Sequence, residues 1–374
     1  MNILAIRNSE IIGGAELYYS YLADAFAKHQ LDYRLVLFTN NIELGTLLRS
    51  HEIETYVFQS FTKEVGTKRD LLSLLLHLPY YLYRNLLEFN KLKTTSKPDV
   101  ILFSGRTEKI ILTPIFRLYG IPIIWLEHGH AFTPTMSKVV LFIYKIVSKL
   151  ASTILIESKD TEYNLISNGL PRKKIRSVAS GTDTNYFKTN RLYHERSIVV
   201  GYMASLTSEK GIWTCLKVAE RIVKYKLPIT FLILGIGPEL IASKRFVQDR
   251  KMNKSVKFKG FRSNPKIYLS KMNIFLSPIT HSGGLSLSVQ CAMSMGVVPI
   301  VSNVGGNKEL VLNGIGGYVY SNNYIDRTVK MIIKLYYNRT LLKKLSKKAR
   351  KHIVSKFGYD IFTRKWRLIL SQYN

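Results

Sequence analysis

Between Val256 and Glu309 the chain passes through two short apolar segments, IFLSPI and VVPIVSN, and each opens onto a glycine pair followed by helix-like sequence. Few folds accommodate that repetition. A strand that turns through glycines into a helix, twice in close succession, calls for a parallel sheet with crossover helices. The same junctions can cradle an anion: glycines let backbone N–H groups approach a phosphate, and helix N-termini add partial positive charge. A nucleotide-containing substrate suits that layout.

The alternation continues along the chain. Apolar runs predict strands at 2–6, 33–39, 55–59, 99–105, 122–129, 153–158 and 175–181. Between the first two, Leu17, Tyr18, Tyr21, Leu22 and Ala25 recur with a helical period. A polar interval from Asn185 to Arg196 breaks the pattern, which restarts with runs at 197–205, 229–235, 255–261, 274–279, 298–302 and 317–321. The fold class expected is α/β: two Rossmann-like, doubly wound parallel-sheet domains, residues 1–185 and 197–357, joined by a linker at 186–196. A cleft between the halves, at the carboxyl ends of their strands, is the expected active site. The closing segment, 358–374, reads as a helix that joins the first domain.

Composition narrows the partners. A formal charge of +30 over 374 residues, spread along the chain, marks a basic surface suited to phosphorylated small molecules, anionic lipid or nucleic acid. No zinc-finger spacing, basic zipper or RNP-type motif accompanies it, so nucleic acid is not expected. The two cysteines, Cys215 and Cys291, fall in separate strand-helix units, which fits a reducing compartment without a structural disulfide. MNILAIRNSE lacks a signal-peptide pattern, and no apolar run reaches the about 20 residues a membrane span needs. A cytoplasmic protein, soluble or peripheral on a membrane, is expected. Basic, apolar sequence at Leu71–Lys93, Lys138–Lys149 and Lys343–Lys351 would suit an anionic membrane surface, with Pro79 expected to interrupt the first stretch.

Several junctions carry candidate chemistry. Gly13-Gly14-Ala15-Glu16 follows the first strand, where the glycines allow close approach to substrate and Glu16 complements the helix dipole. A plain strand-to-helix turn is the alternative. Glu127-His128-Gly129-His130 ends a strand, and His128 there can bond a sugar hydroxyl or developing negative charge; a solvated loop histidine is the bland reading. A metal is not expected, since no further His or Cys cluster supplies a third ligand. Lys210, in Thr207–Gly211 before a helix, offers a point charge to a diphosphate or is a surface lysine. Gly235 begins a Gly-Pro loop, ordinary turn chemistry or the wall of a nucleotide pocket. After Gly283-Gly284, Leu285, Val289, Ala292 and Met293 share a core-facing helical face, leaving Ser282, Ser286 and Gln290 for a ligand. Gly305-Gly306 precede Glu309, which also serves simply as a dipole-complementing acid.

In this order the motifs resemble the family 4 glycosyltransferases of the group 1 type, which have the GT-B fold. The match runs from GGAE through EHG, the IESKDTEYNLISNGLPRKKIRSVASGTDTNYF block, SEKG, LILGIGPE and VKFKGF to AMSMG…PIVSNVGGNKE. The resemblance implies metal-independent transfer of a hexose-type sugar, with retention, from a nucleotide-sugar donor to a glycan or lipid-linked acceptor in cell-surface polysaccharide or glycolipid synthesis. It places Gly13 and Gly14 near donor phosphate and acceptor, His128 at the donor sugar, and Lys210 on the diphosphate leaving group. Gly235, Phe261 and Arg262 would frame the base; Gly305, Gly306 and Glu309 would close the site. Three departures from the family's pattern stand out. Ala204-Ser205 stand where the family has Gly-Arg, and its two glutamates fall by register on Gly283 and Cys291. Each lost charge-assisted contact costs about 1.5–3 kcal/mol unless replaced, with Gln290, Ser286, Ser205, His281 and Arg262 as candidate replacements. These departures motivate an alternative: a non-catalytic GT-B-like subunit that binds or scaffolds an active transferase. A sugar-nucleotide epimerase of like fold is a third possibility.

Overall fold

The computed structural model describes residues 1–9, 14–49, 53–57, 65–95, 97–132, 136–188, 197–281, 284–321 and 323–373, without the side chains of 85, 88 and 91–95. The chain forms two compact units, residues 1–180 with 360–374 and residues 181–359. Gly13, Ser282 and Gly283, singled out above, lie outside the described residues, as do 58–59 of the expected third strand.

The first unit alternates β1 (Asn2–Ile6), α1 (Gly14–Lys28), β2 (Arg34–Thr39), α2 (Ile42–Arg49), β3 (Glu54–Val57), α3 (Lys68–Thr95), β4 (Val100–Phe103), α4 (Arg106–Leu118), β5 (Ile123–Glu127), α5 (Lys138–Ser148), β6 (Thr153–Ile156), α6 (Lys159–Ser167) and β7 (Ile175–Ser177). Its seven strands are parallel in the order β3-β2-β1-β4-β5-β6-β7, with Ile3 opposite both Leu35 and Val100. Strands β4, β5 and β6 are buried along their whole length because helices cover both faces, which is why they read as unbroken apolar runs. In α1 the buried face is Tyr18, Tyr19, Leu22, Ala25 and Phe26, rotated from the expected stripe toward Tyr19 and Phe26.

The second unit repeats the scheme: β8 (Ile198–Met203), α7 (Ile212–Val223), β9 (Ile229–Leu234), α8 (Leu240–Asp249), β10 (Val256–Gly260), α9 (Lys266–Leu269), β11 (Ile274–Ser277), α10 (Leu287–Ser294), β12 (Val298–Ser302), α11 (Asn307–Leu310), β13 (Tyr318–Tyr320), α12 (Tyr324–Tyr337) and α13 (Arg339–Phe357). Its parallel sheet runs β10-β9-β8-β11-β12-β13. In each sheet the order reverses beside the first strand, at β1/β4 and at β8/β11. Open α/β sheets bind ligands at the carboxyl ends of the strands flanking such a switch point.

The last helix, α14 (Tyr359–Leu370), supplies core to the first unit. Trp366 is fully buried; its Nε1 donates to the Tyr18 hydroxyl at 3.1 Å, and its ring meets Phe26 edge-on. Tyr373 shares a 2.6 Å hydrogen bond with Thr153. One expectation fails at α3, which runs unbroken through Pro79. The carbonyl that loses its partner there belongs to Leu75, on an exposed face where water can replace the missing N–H. Among the described residues, no helix is long and apolar enough to cross a membrane.

Candidate active site

In the second unit the loops leaving β8, β9, β11 and β12 are drawn together by backbone contacts that only glycine permits. Beyond the strand ends the β8–β9 pairing continues, with Leu206 N–H donating to Ile236 O at 2.9 Å and Glu239 N–H to Leu206 O at 3.0 Å. Gly235 has φ +131°, and a Cβ there would stand 1.9 Å from the Ala204 carbonyl oxygen. The Thr207–Gly211 loop is fixed against the exit of β11: Thr280 N–H donates to Glu209 O at 2.9 Å, and a Cβ on Gly211 would lie 2.0 Å from Pro278 O. Within this loop the Lys210 carbonyl accepts from the Tyr202 hydroxyl at 3.1 Å, while its N–H donates to Thr207 Oγ1 at 3.3 Å. Its side chain stays exposed. A cation on a backbone held from both sides, at the switch point, is placed to meet an anion.

The two glycine junctions abut each other. A Cβ on Gly306 would lie 2.7 Å from Leu285 Cδ2 and 3.1 Å from Gly284 O. Ser302 Oγ ties the β12 exit to that of β11 by donating to Ile279 O at 2.6 Å, and Asn307 Nδ2 donates to Ser302 O at 3.3 Å. Gly305 takes φ +60°, and half-buried Glu309 lies in the short α11 that follows. Ser286 caps α10 by accepting from Val289 N–H at 3.4 Å. Ser205 is half-buried at the end of β8, and exposed His281 meets Thr280 at 3.2 Å. Arg262 is exposed beyond Gly260, whose carbonyl accepts from Gly235 N–H at 2.9 Å, so its turn adjoins the Gly235 loop.

Lys210, Ser205, Gly235, Arg262, Gly284, Gly305, Gly306 and Glu309 therefore belong to connected loops at one end of one sheet. Gln290 does not join them. It is fully buried on α10, and its Oε1 accepts from Thr182 Oγ1 at 3.0 Å, so an internal contact claims the group expected to stand in for a glutamate. Cys291 is buried among the core residues of the same helix.

In the first unit, His128 follows β5 with its ring 4.8 Å from that of Tyr18 and its Nδ1 3.5 Å from Glu157 Oε2. Its Nε2 is buried with no hydrogen-bond partner among the described residues. With the ring proton on Nδ1, the tautomer a carboxylate neighbour favours, Nε2 accepts from a hydroxyl; the protonated ring donates instead. Tyr18 is fixed from behind by Trp366, and burial, with the Glu157 charge adding to it, pushes its hydroxyl pKa well up, keeping it neutral. Glu127 serves the core, 2.7 Å from Lys109 Nζ and accepting from the Tyr144 hydroxyl at 2.5 Å. His130 pairs with Asp160 at 2.8 Å. Gly14 is exposed at the start of α1; Glu16 is buried and paired with Arg7 at 2.9 Å, a specific ion pair beyond the dipole role expected of it.

Sequence reading missed Glu157 and the Tyr18–Trp366 support behind His128. The signal for Glu157 was present. In parallel register Glu127 stands opposite Ile156, so the residues that follow, His128 and Glu157, emerge side by side. Among the described residues no group of three His, Cys, Asp or Glu side chains is arranged to hold a metal ion.

Comparison with known proteins agrees along the chain. Residues 12–186 match the family profile "Glycosyltransferase Family 4", and residues 184–352 match "Glycosyl transferases group 1". A UDP-Gal:alpha-D-GlcNAc-diphosphoundecaprenol alpha-1,3-galactosyltransferase of Escherichia coli is 26% identical, over 75% of this chain and 76% of its own. The capsular polysaccharide biosynthesis glycosyltransferase CapM of Staphylococcus aureus is 24% identical, over 63% of this chain and 65% of its own. The structure of HepE from Anabaena in complex with UDP-glucose superposes with a TM-score of 0.81 at 18% identity, over 99% of this chain and 100% of its own. That likeness carries the fold, two parallel-sheet domains of the GT-B class.

Proposed function

We propose a specific transfer for this chain, which belongs to the family 4 glycosyltransferases of the group 1 type: a hexose-type sugar moves from a nucleotide sugar to a lipid-linked or glycan acceptor, with retention, in cell-surface polysaccharide or glycolipid synthesis. The observation that carries this reading is Lys210, whose loop is fixed beside the abutting glycine junctions at the β8/β11 switch point. As the anomeric carbon–oxygen bond breaks, negative charge grows on the departing diphosphate. The Lys210 ammonium, carried on a fixed backbone, and the N–H groups opening α7 and α10 stabilise that charge. His128 binds a hydroxyl of the transferring sugar through Nε2.

Retention is supported by the E. coli relative, whose name pairs UDP-Gal with an alpha-1,3 product. The same name gives a diphosphoundecaprenol-linked sugar as acceptor, which favours a lipid-linked one here. Lys210 supplies the charge a divalent ion would otherwise bring, so the proposed transfer is metal-independent.

A membrane location is supported by α3 and α5, which pack together. They leave Leu72, Leu75, Leu76, Tyr80, Val139 and Phe142 exposed, with Leu76 73% and Phe142 63% accessible. Lys68, Arg69, Lys138 and Lys149 are exposed beside them. Apolar side chains rimmed by cations suit the interface of an anionic bilayer. The proposed location is the cytoplasmic membrane face.

The test is purified protein incubated with a panel of nucleotide sugars and lipid-linked acceptors, with and without EDTA. Transfer should survive EDTA and fall about 10²–10³-fold in Lys210→Ala. Transfer unchanged in both Lys210→Ala and His128→Ala would overturn the assigned roles. Ser205 and buried Cys291, at positions where the family carries charge, favour a second reading as a non-catalytic partner subunit. Calorimetry against UDP- and GDP-sugars separates the two: no binding and no turnover alone, with activity restored by a partner, selects the subunit.

A further inference from the structure

Helix α10 has the glycine cradle at its N-terminus and a different feature at its other end. Past Met295, where Gly296 turns with φ +70°, an open cavity of about 840 Å³ is lined by Lys188, Lys343, Lys347, Arg350 and Lys351 together with Ser346. Among the described residues that line it none is acidic. The lysines at 343, 347 and 351 recur every fourth position, so one face of α13 presents them as a single stripe.

Arg350 differs from its neighbours. Its guanidinium donates to the carbonyls of Thr184 at 3.1 Å and Phe187 at 3.0 Å, and to that of Ser294. Ser294 ends α10, so Arg350 neutralises the negative end of the helix dipole where it would repel an anion. Ser346 Oγ donates to Gly296 O at 2.6 Å and holds the turn against α13. The wall is thus fixed by Arg350 and Ser346, and exposed lysines line the space in front of it. Like charges around one concavity repel, and bringing an anion between them relieves that repulsion. The volume lies within the range of small-ligand sites.

We propose that this cavity is a second anion site, which takes a phosphate-bearing ligand at the end of α10 opposite the cradle. The shared chemistry is a phosphate group; its source is a soluble phosphate compound or the headgroup of an anionic lipid.

Calorimetric titration of the whole chain with inorganic pyrophosphate, in saturating UDP, tests the first source. Dihexanoyl-phosphatidylglycerol below its micelle concentration tests the second. The variant Lys188→Ala/Lys347→Ala/Lys351→Ala changes exposed side chains only. A control triple, Lys217→Ala/Lys224→Ala/Lys330→Ala, removes the same charge elsewhere on the unit. The cavity triple should weaken at least one probe about tenfold or more while the control changes it less than about twofold; the affected probe names the source. Equal loss in both triples, or no loss in either, overturns the proposal. If UDP does not bind, the donor-site reading fails, yet the comparison of triples still decides this one.

Discussion

Single residues at the loop junctions carry constraints that a sequence only half reveals. Gly211 and Gly235 were visible as glycines at strand-helix junctions, but the carbonyls of Pro278 and Ala204 pressed against them come from elsewhere in the chain. Gly235→Ala should therefore cost more than about 2 kcal/mol in denaturant unfolding, since its Cβ would overlap a backbone oxygen at a φ that L-residues avoid. An unchanged midpoint would show that the β8 and β9 loops are not held together as described. Gln290 shows the opposite limit. Helical periodicity finds the core face of α10, but it does not tell whether a polar residue beside that face meets a ligand or Thr182. Glu157 went unnoticed because its meaning depends on the neighbouring strand.

The elements themselves were the most legible part. All thirteen apolar runs contain strands, twelve of them within one or two residues at the described ends, while the run at 175–181 stops at Ser177; strands buried on both faces, such as β4 to β6, must be continuously apolar. Pro79 misled, since its usual cost falls where solvent can take over the lost backbone bond. Two predictions belong to this scale. Trp366→Ala should destabilise the first unit by about 3–5 kcal/mol, and limited proteolysis should then cut within residues 1–180 before 181–359. Leu76→Asp/Phe142→Asp should lower binding to phosphatidylglycerol vesicles about tenfold or more with little change in Tm, as both side chains lie on the exposed face of α3 and α5. Retained vesicle binding would remove that face from the membrane reading.

For the molecule as a whole, charge and chain order matter more than any one contact. His352, half-buried on α13, has its pKa lowered from 6.5 chiefly by burial, against backbone hydrogen bonds that raise it and with Lys356 adding to the lowering. Its neutral form is favoured in the folded chain, so the unfolded chain binds more protons between the two pKa values and stability rises with pH there. This stabilisation is present above the unfolded pKa and lost as pH falls through it toward the folded one. His352→Gln should flatten the decline of Tm between about pH 7 and about pH 5; an unaltered slope would assign acid sensitivity to other groups of this +30 chain. The return of α14 has a separate consequence, for biosynthesis. The first unit is built from segments on both sides of the second, so a ribosome must deliver all of 181–359 before Trp366 can reach Tyr18. At roughly 5–20 residues per second, the first unit waits on the order of ten seconds or more with part of its core uncovered. The unit begun second is the first that can finish, and a stop that removed α14 would leave the first unit without part of its core.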